Sequence, residues 1–358
     1  MLSSSITLTI DTLAFGGDGV GRYEAMVVFV PGGLPSEKLE VRVTDRKKNF
    51  LRAEILRILE PSPHRLPPPC PYYDQCGGCQ YQHLNYATEL IWKERQVLEQ
   101  LSRVARLPES IILPIIPSPE PYGYRNRISV HADEGRVGFH QAGTRNIVDI
   151  ERCLLASEEV NQQLTALRRS KPQTGHYSLR AANIPISAFF QSNHYLIDRL
   201  QRLIVEAAQE CSGIMVEGYA GGGFFTGALA SQFSKVIAIE EDTRALRDAT
   251  QLQLTQVEWV NGRVEDYFEA ALHKLSSPPD LILVDPPRTG LGRTISEAIA
   301  QSQARRIVYV SCDPSTMARD AGFLKIGYRL ASLQPIDMFP RTAQIETVSV
   351  WEVKEKIS

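Results

Sequence analysis

Short apolar or alternating runs at residues 6–10, 26–30, 39–43 and 53–59 are separated by Gly16-Gly17-Asp18-Gly19-Val20-Gly21 and Pro31-Gly32-Gly33. Period-two runs bounded by glycine predict strands joined by turns, and four or five of them suit a small OB-like barrel. No helix follows the glycine run, so it reads as a turn and not as a phosphate cradle. Residues 60–69 hold five prolines, which forbid regular helix and mark a linker and a domain boundary. Residues 86–101 carry apolar positions at helical spacing (Leu90, Ile91, Val97, Leu98, Leu101). A second proline-rich stretch, residues 114–124, precedes hairpin-like runs at residues 124–130, 137–139 and 147–150, which predict a small β-domain.

From Ile184 the pattern becomes strands alternating with helices. The run Ile214-Met215-Val216-Glu217-Gly218 enters Tyr219-Ala220-Gly221-Gly222-Gly223, residues 224–231 can be helical, and Val236-Ile237-Ala238-Ile239 ends in Glu240. Strand, glycine loop, helix, strand and acid describe a doubly wound sheet with a nucleoside at its switch point and the carboxylate on the ribose. Further strands at residues 257–260, 281–284 and 307–310 extend the sheet, and Asp266 and Asp285 fall at or soon after strand ends. The expected fold class is therefore α/β: a C-terminal Rossmann-like sheet, an N-terminal OB-like barrel and a small central α+β domain. The boundaries are expected at residues 1–62, 63–183 and 184–358.

A chain of 358 residues, 43% hydrophobic and 22% charged, is long enough for two or three domains with a sizeable core. The first ten residues lack a basic stretch followed by a long apolar one, and no apolar run approaches the roughly 18 residues of a membrane span. A cytoplasmic protein without membrane contact is expected. The net charge of −2 means that nucleic-acid contact would rest on local patches. One candidate is Arg42, Arg46, Lys47, Lys48 and Arg52 around Asn49-Phe50, a mixture that can pair phosphates and stack a base, or else a solvated hairpin tip. Arg125 and Arg127 alternate along a strand and could face phosphate together or serve surface salt bridges.

Six cysteines in a reducing compartment favour metal ligation or chemistry over disulfides. Cys70, Cys76 and Cys79 with the distant Cys153 supply four thiolates, a count that fits either zinc or a four-iron cluster. His83 could compete with Cys153, and Cys211, with no motif around it, reads as core. Cys312 lies in Ser311-Cys312-Asp313-Pro314, just after an apolar strand, and a carboxylate, Glu346, follows in Met338-Phe339-Pro340-Arg341-Thr342-Ala343-Gln344-Ile345-Glu346. Amine and oxygen methylation need no cysteine nucleophile. A thiol beside a methyl-donor fold points to a weakly nucleophilic carbon as the target.

Cys70, Cys76, Cys79, Cys153, Phe190-Gln191-Ser192-Asn193, Asp285-Pro286-Pro287-Arg288, Ser311-Cys312-Asp313-Pro314 and the segment ending in Glu346 together resemble the RNA uracil-5 methyltransferases. The resemblance spans nearly the whole chain, with a TRAM-type barrel over residues 1–60. It implies S-adenosylmethionine as methyl donor, a [4Fe-4S] cluster on the four cysteines, Cys312 as nucleophile and Glu346 as general base. It also implies that Gln191, Tyr219, Glu240, Asp266 and Asp285 line the donor or the target base. The partner expected is RNA, ribosomal ahead of transfer RNA, bound by a monomer. The sequence departs from the family pattern at Glu217, Ala220, Asp313, Gln344 and Phe224, where the family usually has aspartate, cysteine, asparagine, histidine and an amide. Two rivals share these features: a methyltransferase acting on adenine or a protein amine, and a non-catalytic RNA-binding iron-sulfur protein.

Overall fold

The computed structural model describes residues 5–182 and 191–354. The expected boundary at residues 183/184 and Phe190 of the Phe190-Gln191 motif lie outside them. The chain separates into two compact units. One comprises Met1–Gln96, Pro121–Leu179 and Phe339–Gln344, and the other Val97–Glu120, Arg180–Met338 and Ile345–Ser358.

The first unit begins with strands β1 (Ser5–Leu13), β2 (Gly19–Tyr23), β3 (Met26–Val30), β4 (Lys38–Arg46) and β5 (Phe50–Glu60), which close a barrel in the order β1-β2-β3-β5-β4. Alternation puts Leu8, Ile10, Val28, Val30, Leu39, Val41, Leu51 and Ala53 inside it. The glycine run is only half a turn, because Gly19 and Gly21 belong to β2. A Cβ on Gly21 would lie 2.3 Å from the Thr9 carbonyl oxygen, so this close strand approach needs glycine.

The proline-rich stretch after β5 is irregular yet pinned to the barrel. Arg65 Nε donates to Glu37 Oε1 at 2.5 Å and Nη2 to the Gly32 carbonyl at 2.6 Å, while fully buried Glu37 also accepts from the Leu34 and Ser62 amides. Beyond α1 (Tyr86–Gln100), strands β6 (Arg127–Asp133), β7 (Arg136–His140), β8 (Ile147–Asp149) and β9 (Gly175–Arg180) form a sheet ordered β8-β7-β6-β9. Helix α2 (Glu158–Arg169), N-capped by Ser157, packs Val160 and Leu164 onto its inner face.

The second unit holds α3 (Ile197–Ala207), β10 (Ile214–Gly218), α4 (Phe224–Leu229), β11 (Lys235–Glu240), α5 (Thr243–Thr250), β12 (Val257–Asn261), α6 (Val264–His273), β13 (Leu281–Val284), α7 (Gly292–Gln301), β14 (Arg306–Ser311), α8 (Pro314–Leu324), β15 (Tyr328–Ile336) and β16 (Glu346–Val353). Its seven-stranded sheet runs β12-β11-β10-β13-β14-β16-β15. The first five strands are parallel, and β16 lies antiparallel between β14 and β15. The chain reverses direction of travel across the sheet between β10 and β13, which opens a crevice at their carboxyl ends. Among the described residues no helix is long and apolar enough to cross a membrane.

Candidate active site and cysteine cavity

The crevice at the ends of β10 and β13 is lined by Gln191, Tyr219, Gly221, Phe224, Phe225 and Asp285, among others. Tyr219, a non-glycine residue at φ 63°, turns the chain out of β10, and Gly221 and Gly223 follow with φ of 56° and 79°. The Tyr219 hydroxyl donates to Glu265 Oε1 at 3.1 Å. Glu240 closes the loop from β11: Oε2 accepts from the Gly221 amide and Oε1 from the Asp242 amide, each at 2.7 Å. The structure thus gathers Gln191, Tyr219, Glu240 and Asp285 around one crevice. Asp266 stands apart from it, exposed in the first turn of α6.

At the neighbouring end of β14, the antiparallel register with β16 pairs Arg306 with Glu352 and Ser311 with Thr347. Cys312 and Glu346 each lie one residue beyond this last pair of β14 and β16. The Thr347 hydroxyl donates to the Ser311 carbonyl at 3.1 Å and locks this end of the pair. Cys312 is half-buried, while Glu346 is buried at the start of β16. Burial and the facing carboxyls of Glu346 and Asp285 push the Cys312 thiol up to about 12, against the pull of the Arg288 guanidinium. Burial and the proximity of Asp285 hold the Glu346 carboxyl well above the usual range. Asp313 caps α8, its Oδ1 accepting from the Ser315 and Thr316 amides at 2.8 and 3.2 Å. Beneath the crevice, buried Glu217 accepts from the Thr226 hydroxyl at 2.6 Å, and burial raises its carboxyl to about 8.

In the first unit, Cys70, Cys76, Cys79 and Cys153 line one cavity of about 90 Å³, together with Gln82 and Arg125. Among the described residues no three His, Cys, Asp or Glu side chains converge as a single-ion site would. The donor set nevertheless suits a thiolate-ligated group. Burial raises the Cys76, Cys79 and Cys153 thiols, and the Arg125 guanidinium, with a hydrogen bond from Gln82 to Cys79, opposes that rise. Gly77 and Gly78 let the loop fold tightly, since a Cβ would lie 3.1 Å from the Ala142 amide nitrogen and 3.4 Å from Cys76 Sγ respectively.

Buried Asn161 braces Cys153. Its Oδ1 accepts from the Cys153 amide at 2.9 Å and its Nδ2 donates to the Cys153 carbonyl at 3.0 Å. His83 faces elsewhere, with Nδ1 2.5 Å from the Tyr73 hydroxyl. Arg125 turns to the cavity, whereas Arg127 donates to Ser178 at 3.2 Å, so the two arginines do not act together. Asn161 and Gln82 carried no sequence signal; a polar residue three to eight positions beyond a cysteine is too common to single out. Cys211 is core, as its lack of a motif suggested.

The basic hairpin of the barrel is largely ion-paired: Arg42 with Glu54, Lys47 with Asp45 at 3.0 Å and Arg52 with Asp18 at 3.3 Å. These pairs are exposed and worth roughly 0–1 kcal/mol each, so an incoming phosphate can displace them. The Phe50 ring meets Phe29 edge-on at 5.5 Å beneath Arg52.

A switch-point crevice with a glycine loop and an acid at the end of the next strand, joined in one chain to a five-stranded barrel, is the arrangement of a two-module protein with a nucleoside-type crevice. Residues 1–56 match the TRAM domain family, and residues 271–354 match the tRNA (Uracil-5-)-methyltransferase family. An uncharacterized RNA methyltransferase of Bdellovibrio bacteriovorus is 33% identical over 98% of this chain and 95% of its own length. One from Halalkalibacterium halodurans is 32% identical over 97% and 96%. Among solved structures, the Pyrococcus abyssi tRNA (uracil-54, C5)-methyltransferase in complex with S-adenosyl-L-homocysteine superposes with a TM-score of 0.70 at 22% identity, covering 97% of this chain and 100% of that one, which shows a shared fold. The chain belongs to the RNA methyltransferase family of these relatives.

Proposed function

We propose that this enzyme transfers a methyl group from S-adenosylmethionine to C5 of a uridine in ribosomal or transfer RNA through a covalent adduct on Cys312. The observation that supports the reading is that Cys312 and Glu346 lie just beyond the Ser311–Thr347 pair of β14 and β16, where the carboxyls of Glu346 and Asp285 act on the Cys312 thiol. Uracil C5 is a poor nucleophile until a thiolate adds at C6, so a cysteine within reach of a carboxyl is the pair the chemistry requires. Cys312 gives up its proton to solvent as Sγ bonds to C6, and the C5–C6 π electrons move onto C4=O as an enolate. The enolate carbon takes the methyl as the donor's S–CH3 bond breaks and its electron pair stays on sulfur. Glu346 then removes the C5 proton, the C5=C6 double bond re-forms and Cys312 Sγ departs with the electron pair of its bond to C6. Burial raises the proton affinity of the Glu346 carboxylate, so once ionised it is a stronger base for the C5 proton, and general base assistance contributes typically about 10²–10⁴-fold.

Gln191, Tyr219, Glu240 and Asp285 are proposed to hold the donor and orient the base. Asp266, exposed on α6, could join them only through the donor's outer edge. The target uridine must leave its stack to present C5 and C6, at a cost of a few kcal/mol that loop contexts reduce.

Cys70, Cys76, Cys79 and Cys153 are proposed to ligate a [4Fe-4S] cluster. Four thiols spread around one cavity fit a multi-iron group better than a single ion, and when bound the cluster would cross-link the cysteine loop to the small sheet. Absorbance near about 400 nm in anaerobically purified protein checks this assignment; zinc without that band would overturn it.

The function itself is tested with methyl-labelled donor and RNA lacking the modification, followed by nucleoside analysis. Label is expected in 5-methyluridine. Label in methyladenosine, or in no nucleoside, would refute the reading.

A further inference from the structure

Resting on the assignment of Glu346 as the base, we propose that Arg341 is a positioning residue that fixes the approach of the chain to Glu346. Phe339–Gln344 belongs to the first compact unit, whereas Met338 before it and Ile345 after it belong to the second. Glu346 follows this segment by one intervening residue, so any slack in the segment reaches the base through two peptide bonds.

The segment is held at every step. The Phe339 carbonyl accepts from Lys93 Nζ at 3.1 Å, the Pro340 carbonyl from the Tyr124 hydroxyl at 3.0 Å, and the Arg341 carbonyl from the Gln80 and Tyr81 amides at 2.9 and 3.1 Å. Arg341 contributes most. Its amide donates to Glu89 Oε1 at 2.7 Å, and its Nη1 donates to the Leu84 carbonyl at 2.8 Å and to Glu89 Oε2 at 3.2 Å. Its guanidinium also lies over the Tyr86 and Tyr122 rings at 5.2 and 5.1 Å. Glu89 is shared with Lys93 at 2.8 Å, and both are fully buried.

A buried ion-pair network is weak evidence for stability, because desolvation offsets most of the attraction. It does fix geometry, and the backbone here needs fixing: Arg341 sits at φ 67°, a region that non-glycine residues enter only when their surroundings hold them there. The bland alternative, an ordinary ion pair that only stabilises the unit, explains the charges but not a strained residue whose amide, carbonyl and side chain are all engaged five positions before the base.

The test is Arg341→Gly, which keeps the backbone conformation accessible and leaves the Glu89–Lys93 pair intact. Turnover is expected to fall about 10- to 100-fold, as misplacement near 1 Å does, with KM for RNA within about twofold of wild type. Methylated covalent RNA adduct should accumulate, as is expected of Glu346→Gln, and Arg341→Lys should restore part of the turnover. Tyr124→Phe, which removes the tie to Pro340 together with a longer bond from Arg125 Nε at 3.4 Å, should accumulate adduct to a smaller extent without loss of melting temperature. Adduct in Glu346→Gln but not in Arg341→Gly or Tyr124→Phe would overturn the role of Arg341 alone. No adduct in Glu346→Gln would overturn the base assignment, and this proposal with it.

Discussion

Cys312 and Glu346 lie at the open end of the antiparallel pair β14 and β16, each one residue beyond the Ser311–Thr347 pair that the Thr347 hydroxyl secures, and the Glu346 carboxyl raises the Cys312 thiol. This pairing makes the two residues separable by trapping. RNA carrying 5-fluorouracil offers no C5 proton, so wild-type enzyme should hold it as a methylated adduct that survives denaturing electrophoresis. Cys312→Ser should yield no adduct. An undiminished yield in that variant would exclude the thiol as nucleophile.

Much of this architecture is legible in the sequence because its signals are local. The Val236-Ile237-Ala238-Ile239 run, the glycine loop and the barrel alternation each state their own element, and the structure places them as expected. The strands not foreseen are β2, whose glycines read as a turn, and β9, β15 and β16. In β16, Thr347 and Ser349 alternate with Val348 and Val350 for only four residues before Trp351-Glu352 breaks the pattern, and the polar positions are buried as well, so the run is too short and too polar to mark a buried strand. Cys312 and Glu346 are visible as motifs, but their juxtaposition depends on the insertion of β16 between β14 and β15, which no local pattern encodes. The bracing of Cys153 by Asn161 is likewise a tertiary fact.

Asp313, where the family usually has asparagine, acts on the neighbouring thiol as well as on α8. Its carboxylate raises the Cys312 thiol, though less than burial, Glu346 and Asp285 do. Asparagine caps a helix about as well as aspartate does. Asp313→Asn should therefore shift the pH midpoint of Cys312 alkylation downward, measured by mass spectrometry in the RNA-free protein, and raise kcat/KM at pH 7 by up to about threefold. Melting temperature should stay within about 2 °C of wild type. An unmoved alkylation midpoint would show that helix capping already absorbs the Asp313 charge.

Glu217 gives the fold a pH dependence of definite sign. Its carboxyl titrates at about 8 in the folded chain against an ordinary 4.5, so between these values the folded state holds a proton that the unfolded state has released. Its contribution is fully present below pH 4.5 and is lost as pH rises through about 8. Glu217→Gln keeps an acceptor for the Thr226 hydroxyl and cannot ionise. Between pH 5.5 and 8.5 wild type should lose at least roughly 3 °C more in melting temperature than the variant does. Parallel curves would mean that Glu217 stays ionised in the fold.

Asn161 links the stability of the small sheet to the cysteine cavity. Besides bonding both backbone groups of Cys153, its Nδ2 lies 3.0 Å from the Ala156 carbonyl, so the side chain spans the loop entering α2. Asn161→Leu preserves volume and leaves the buried Cys153 amide without its acceptor, at a cost of about 1–3 kcal/mol. With the Cys153 loop loosened, iron retained per chain after anaerobic reconstitution should fall, as should absorbance near about 400 nm, while binding of S-adenosylmethionine in the second unit is unchanged. Full iron retention in a variant of normal donor affinity would show that Cys153 is held by the cavity wall without Asn161.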